Sequence, residues 1–502
     1  MEFVDALVLG FTTASSPTNL LFCLIGALLG TLIGVLPGIG PTATLAILLP
    51  ITFFLPPLAA LIMLAGIFYG AQYGGSTTAI LVNLPGEASS VVTALDGYAM
   101  AKQGRAGAAL AIAALGSFFA GTGSTVGLAV MGPTLAGLAL SFGPAEYFSL
   151  TIFGLLCATV LASGSVVKAI GMICIGLVLG WVGTDVNSGS ERLTFGAVEL
   201  FDGIEFVVIA VGLFGIAEII VNLETPELRG LIATKISRLW PTREDFRRAW
   251  PAVLRGTGLG TFLGILPGGG ATLSAFSAYT LEKKVSRHPE RFGKGAVEGV
   301  AGPESANNAG AQSSFIPLLT LGIPSNAIMA MLLGAMTIHG ITPGPSVMQN
   351  QPDLFWGLVA SMWIGNLMLL VINLPMIGLW VRLLQVPYRL LYPAILLFCC
   401  VGVYSVNNRA TDVALAVGFG FLGYLFRKAR CEPGPLLLGF VLGPLLETNL
   451  RRALLVSQGD PAVLVERPIS LALLLAALAL FILLLLPAVR RTRKEAMVDE
   501  GG

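Results

Sequence analysis

Charge is what this chain of 502 residues has least of: Asp, Glu, Lys and Arg make up 11% of it, against 55% hydrophobic residues. Soluble domains carry roughly a quarter charged residues, so a soluble globular fold is excluded. Residues 6–86 contain none of the four charged types, and further runs without them cover 106–145, 147–167, 256–281, 305–352, 354–381 and 468–489. A crossing needs about 20 apolar residues, so these runs predict an all-α polytopic membrane protein with about 10–12 transmembrane helices. The mean hydropathy of +0.84 agrees.

Other scarcities exclude chemistries. With only His288 and His339, a Ser-His hydrolase or a His-rich metal site is poorly supplied. The six cysteines (Cys23, Cys157, Cys174, Cys399, Cys400 and Cys431) show no CxxC spacing and lie mostly in apolar segments. They read as small buried hydrophobes, and no metal site is expected. GxxxxGK[ST] is missing, which argues against ATP hydrolysis by this chain. A net charge of +1 offers nothing to nucleic acid, and no enzyme activity is expected. The N-terminal MEFVDALVLG lacks the basic region of a cleavable signal, so the first apolar segment is expected to stay in the mature protein.

What the chain does have is glycine and proline inside apolar runs. GTLIGVLPGIGPTAT (30–44) and GTFLGILPGGGATLS (260–274) share a Gly-Thr start, a Leu-Pro-Gly core and a hydroxyl-bearing end, with prolines 230 residues apart (267 − 37). Proline removes a backbone donor and glycine relaxes the chain, so each stretch breaks its helix. A second pair follows in the same order, GAQYGGSTTAILVNLPGE (70–87) and GAQSSFIPLLTLGIPSN (310–326), 240 residues apart (310 − 70). An internal duplication explains both pairs. It gives a first transmembrane repeat over 1–222, a basic cytoplasmic loop over 223–255, a second repeat over 256–450 and a C-terminal transmembrane helix over 468–489.

Residues 223–255 carry seven basic residues against four acidic ones, and 282–298 carry five against three. The positive-inside rule puts both stretches in the cytoplasm, so the intervening segment enters and leaves on one side. Its arms of 11 residues, 256–266 and 271–281, each reach about 16 Å, half the hydrocarbon core. A re-entrant hairpin and a discontinuous crossing helix both fit. No basic residue precedes Lys102 around the first break, so that break enters from the opposite face and the repeats are read as inverted. Arg490, Arg491, Arg493 and Lys494 place the chain's end in the cytoplasm.

A non-helical segment at membrane depth must be buried in protein or line a wet cavity, where exposed helix N-termini hold carboxylates without a buried Lys or Arg. The candidate substrate ligands are therefore Gly38, Gly40, Thr42 and Thr44 at the first break and Gly268, Gly270, Thr272 and Ser274 at the second. The polar residues of the downstream motifs join them: Gly75, Ser76, Thr77 and Asn83 in one copy, Asn307, Asn308, Gln312, Ser325 and Asn326 in the other. Three acidic residues border these motifs, Glu87, Asp96 and Glu304. An intramembrane carboxylate is a candidate carrier of a coupling Na⁺ or proton, and Glu304 and Asp96 are chosen for that role.

The paired LPG motifs, the stretch LDGYAMAKQGRAG and the block FGKGAVEGVAGPESANNAGAQSSFIPLLTLGIPSNAIMAMLLGAMTIHGITPGP closely resemble the large membrane subunit of the tripartite tricarboxylate transporters, the TctA type. The similarity runs over roughly residues 18–430. It implies a multi-pass protein of the bacterial inner membrane that takes a carboxylate from a periplasmic solute-binding protein and works beside a small membrane subunit. It also implies uptake driven by an ion gradient rather than ATP, with no cofactor beyond the coupling ion. A passive anion channel is the contrasting reading.

Overall fold

The computed structural model describes residues 2–36, 40–161, 165–185, 187–224, 239–266, 268–383 and 388–485. The first helix, α1 (Phe3–Ala14), precedes α2 (Pro17–Val35), which runs into the first break, and α3 (Pro41–Thr52) leaves it. Then come α4 (Pro57–Val82), which carries the GAQYGGSTT stretch, α5 (Val91–Met100), α6 (Ala106–Ala139), α7 (Pro144–Leu161) and α8 (Val166–Gly180). An antiparallel pair, β1 (Gly183–Thr184) and β2 (Glu191–Arg192), leads to α9 (Phe206–Ala210) and, through a π-helical turn, α10 (Ala217–Glu224).

The second half follows with α11 (Arg243–Ile265), α12 (Ala271–Val285), α13 (Glu298–Ser313), α14 (Phe315–Leu321), α15 (Ala327–Ile338), α16 (Pro345–Asn350) and α17 (Pro352–Asn373). After it come α18 (Ile377–Leu383), α19 (Tyr388–Asn407), α20 (Ala410–Lys428), α21 (Pro433–Val456), α22 (Val463–Glu466) and α23 (Pro468–Leu485). The protein is thus an all-α polytopic membrane protein. Among the described residues, 6 helices are long and apolar enough to cross a membrane, and further apolar helices span 10–17 residues. The shorter ones include α3 and α15, which begin directly after the Gly- and Pro-bearing breaks.

One expectation needs correcting. The stretch 243–255, read as loop, is helical, because Thr242 and Asp245 cap each other: Asp245 N donates to Thr242 Oγ1 and Thr242 N to Asp245 Oδ2, both at 3.1 Å. The arm before the second break is therefore 23 residues long, about 35 Å, and the arm after it 15 residues. The two arms are unequal. Arg229, Lys235 and Arg238, both break prolines, Gly38 and the C-terminal basic cluster lie outside the described residues.

Two helices sit at the centre. From Ala59 to Val82 every residue of α4 is buried, and α13 is buried from Gly299 to Ser313. Each is approached at close range by the helix before its break. Gly26, Gly30 and Gly34 of α2 abut Met63, Ile67 and Ala71 of α4, while Gly256, Gly260 and Gly264 of α11 abut Gly302, Ala306 and Gly310 of α13. Glycine every fourth residue lets backbones touch where side chains would hold them apart.

These contacts also fix directions. Since both series ascend together, α2 runs parallel to α4 and α11 parallel to α13. Gly123 and Gly127 of α6 face Thr257 and Thr261, so α6 follows α11. By contrast Gly121 and Gly132 of α6 face Asn366 and Phe355, so α17 runs against α6. Gly357 and Gly365 of α17 lie against Leu58 and Tyr69, so α17 follows α4. The central helices α4 and α13 therefore point in opposite directions.

Candidate functional site

The two central helices meet at Glu304. This residue stands on α13, a helix whose sequence EGVAGPESANNAGAQS is mostly polar or small yet is buried almost throughout. Its carboxylate is fully buried and accepts hydrogen bonds from two elements of the other half, Ser76 Oγ of α4 at 2.5 Å and Thr93 Oγ1 of α5. One turn later Asn308 Nδ2 donates to the Glu304 carbonyl at 3.0 Å and to Ser117 Oγ of α6 at 2.7 Å.

Beside it lies a second carboxylate. Glu87 Oε2 accepts from Gln72 Nε2 at 2.9 Å, and Ser89 donates both to Glu87 and to Gln72 Oε1. Asn307 Nδ2 reaches Ser89 Oγ at 3.2 Å and joins the Glu87 group to α13. Bare Gly75 makes the room, since a Cβ there would stand 2.9 Å from Glu87 Cγ. Among the described residues neither acid forms a salt bridge; every recorded side-chain partner is a hydroxyl or an amide. A carboxylate in a low-dielectric interior without a fixed cation is costly, and taking up a proton or a cation relieves that cost.

A cavity lined by Tyr73, Ser76, Thr77, Ser117, Glu304 and Asn373 opens against this group, with room for about one water. It fits an ion or a water rather than an organic acid.

The second break forms a neighbouring cluster. Gly268 N donates to Ser325 O at 2.7 Å, and Gly270, at φ +94°, caps the start of α12. A Cβ on Gly270 would press on Asn326 Nδ2 at 3.0 Å; Asn326 Oδ1 accepts from Met329 N and so caps α15. Ser274 Oγ returns to Gly270 O at 2.7 Å. The side-chain amide of Gln312 is buried with no hydrogen-bond partner among the described residues.

Ser76, Thr77, Gly75, Asn307, Asn308 and Glu304 thus come together around the carboxylates, and Gly268, Gly270, Ser274, Ser325 and Asn326 around the second break. Others stand apart. At the first break Thr44 Oγ1 is turned back onto Gly40 O at 3.1 Å, Thr42 is half-buried and Gly38 is not described. Thr272 and Asn83 are exposed, Asn83 as the left-handed residue that ends α4. Asp96 is fully buried but away from Glu304: it accepts from Gly295 N, Ala296 N and Tyr279 Oη at 2.8, 2.7 and 3.0 Å, a tie between α5 and the approach to α13.

Sequence reasoning left out Gln72, Tyr73, Ser89, Thr93, Ser117 and Asn373, and it named Glu87 without choosing it. Gln72 stands in the GAQ shared by both copies, which could have drawn attention to it. Thr93, Ser117 and Asn373 stand outside the duplicated motifs, so nothing local in the sequence sets them beside Glu304.

Helices interrupted inside a membrane bundle, packed around buried carboxylates, are the architecture of a membrane transporter. The chain belongs to the tripartite tricarboxylate transporter TctA family, whose sequence model matches residues 20–438. Over 500 residues, the whole of both chains, it is 58% identical to the "Uncharacterized 52.8 kDa protein in TAR-I ttuC' 3'region" of Agrobacterium vitis. It is 56% identical over 241 residues, 48% of this chain and 100% of the other, to the "Uncharacterized protein in TAR-II ttuC' 3'region" of the same organism. No solved structure matches.

Proposed function

We propose that this chain performs secondary active uptake of a carboxylate, a tricarboxylate or related organic acid, across the bacterial inner membrane. A periplasmic solute-binding protein delivers the substrate, a small membrane subunit works alongside, and a Na⁺ or proton gradient drives the cycle. The observation that carries this reading is Glu304, fully buried between oppositely directed central helices and held by hydroxyls from the other half rather than by a cation. Its charge invites a mobile positive partner, which is what coupling to an ion gradient requires.

The carboxylate then belongs at the second break, where the free N–H groups at the start of α12 stand with Gly270, Ser325 and Asn326, and the neighbouring α13 carries Gln312, whose amide has no partner among the described residues. Asp96, with three donors from the chain itself, is left out of the coupling site. The opposed directions of α4 and α13 support an inverted relation between the halves, with the site where they cross.

Proteoliposomes containing the chain, its small subunit and its binding protein test this with citrate and other di- and tricarboxylates. Uptake above equilibrium under an imposed Na⁺ or proton gradient is expected, and Glu304→Gln should abolish that accumulation while the protein reaches the membrane in normal amount. Flux that never exceeds equilibrium would make the chain a passive channel instead.

A further inference from the structure

Several buried polar groups beside the carboxylate cluster and beyond it have no hydrogen-bond partner among the described residues. On α17, Asn366 is fully buried and neither its Oδ1 nor its Nδ2 has a hydrogen-bond partner among the described residues. Two turns further on, Asn373 uses its Nδ2 on Thr31 Oγ1 and Leu369 O, while its Oδ1 has none. Beside Asn373, across the Glu304 cavity on α4, the buried Tyr73 hydroxyl is also without a partner among the described residues. Each buried amide or hydroxyl left unpaired costs about 1–3 kcal/mol, so three such residues along one seam call for an explanation.

Their placement supplies one. Asn366 and Asn373 stand seven residues apart (373 − 366), two turns of one helix face and about 10 Å along the axis. Tyr69, Tyr73 and Ser76 follow one another at four and three residues on α4, again one face. The two faces meet: a Cβ on Gly365 would strike the Tyr69 ring at 2.9 Å, and Asn373, Tyr73 and Ser76 all line the Glu304 cavity. Bare Gly121 of α6 leaves the space for Asn366, since a Cβ there would lie 2.8 Å from Asn366 Oδ1.

We propose that the seam between α4 and α17, from Asn366 past Tyr69 and Tyr73 to Asn373, is an internal hydrated track by which the coupling cation reaches Glu304. The cation's role rests on the function proposed above; the track does not. Tyr73 Oη and the Asn373 carbonyl oxygen are its inner end, beside the carboxylate. Asn366, whose amide both donates and accepts, holds water at the outer end. The track leads from Glu304 back along α17 toward Pro352, the end at which α6 finishes. Arg105, at the start of α6, pairs with Asp245 of the basic α11, so the track heads away from the basic loops.

Thiol reactivity tests it, because a thiolate attacks a methanethiosulfonate, forming a mixed disulfide and releasing methanesulfinate, while a thiol facing lipid stays protonated and inert. Asn366→Cys, Asn373→Cys and, on the facing helix, Tyr73→Cys are made singly in the otherwise native chain. Leu367→Cys, at a position 55% exposed on the outer surface of α17, is the control. A small charged methanethiosulfonate is applied to membranes, and the adduct is read by mass on the peptide carrying the new cysteine. Modification at least about tenfold faster at positions 366, 373 and 73 than at 367 is expected. Rates at the control level would overturn the track, and position 73 gives an independent reading if an α17 variant fails to accumulate. Sodium titrated at fixed pH, and pH titrated without sodium with each rate corrected for the thiol's own ionisation, should slow modification at 373 in one of the two series, and Glu304→Gln should remove the protection. Fast labelling with no protection in either series would leave the track standing and remove Glu304 as the cation site.

Discussion

Single side chains show two different settings for a buried acid. Asp185, in the turn beside β1, is held well below the usual carboxylate range, first by the backbone N–H of Ser188, then by that of Asn187 and by the Arg451 guanidinium. Its Oδ2 stands 2.7 Å from Arg451 Nη2, which ties this turn to α21. Because the folded state favours the charged form, the contribution is complete above the unfolded value of about 3.9 and is lost as pH falls below it. Hydrogen exchange in residues 182–203, corrected for intrinsic rates, should rise as pH drops from about 6 to about 3. In Asp185→Asn it should already be high at the upper end and change little; an unaltered profile would show that the pairing does not hold the turn. Glu304 has no such guanidinium, and that contrast separates a structural acid from one left open to a mobile ion. The sequence exposed Glu304 because polar Asn307 and Asn308 follow it. It could not expose Thr93 or Ser117, whose roles come only from helices brought together by packing.

At the scale of elements, the glycine seams decide how close the helices come. On α11, Gly260 stands where a Cβ would meet Ala306 Cα at 2.8 Å, whereas Gly258 on the opposite face has open space around it. Gly260→Leu should therefore force α11 off α13 and sharply reduce the monodisperse fraction after detergent extraction, while Gly258→Leu should leave it near the native level. Equal yields from the two variants would refute the seam. The spacing of four is legible in GALLGTLIG (26–34) and GTGLGTFLG (256–264), just before the LPG cores. The breaks themselves were legible because proline and glycine act locally. The start of α11 was not, because basic side chains suggest a loop while the Thr242–Asp245 cap requires a helix.

For the whole molecule, the opposed directions of α4 and α13 make a prediction about faces. The turn between α3 and α4, around Phe54, and the turn between α12 and α13, around Arg287, should lie on opposite sides of the membrane. An impermeant thiol reagent applied to intact spheroplasts should reach Phe54→Cys at once but Arg287→Cys only after permeabilisation. Labelling of both from outside would place the two breaks on one side and end the inverted reading. The number of crossings could not be read closely from the chain, since long apolar runs are divided by proline and glycine into helices of different lengths.

The crossing of α4 and α13 also has a consequence for the order of synthesis. Ser76, made first, bonds the Gln72 carbonyl on its own helix at 2.9 Å, so it can wait in the membrane without an exposed polar group. Glu304 finds its hydroxyl partners only on other helices and emerges after α4, α5 and α6 exist to receive it. Translation thus delivers the hydroxyls of Ser76 and Thr93 before the carboxylate they hold, and Glu304 arrives at a berth already built.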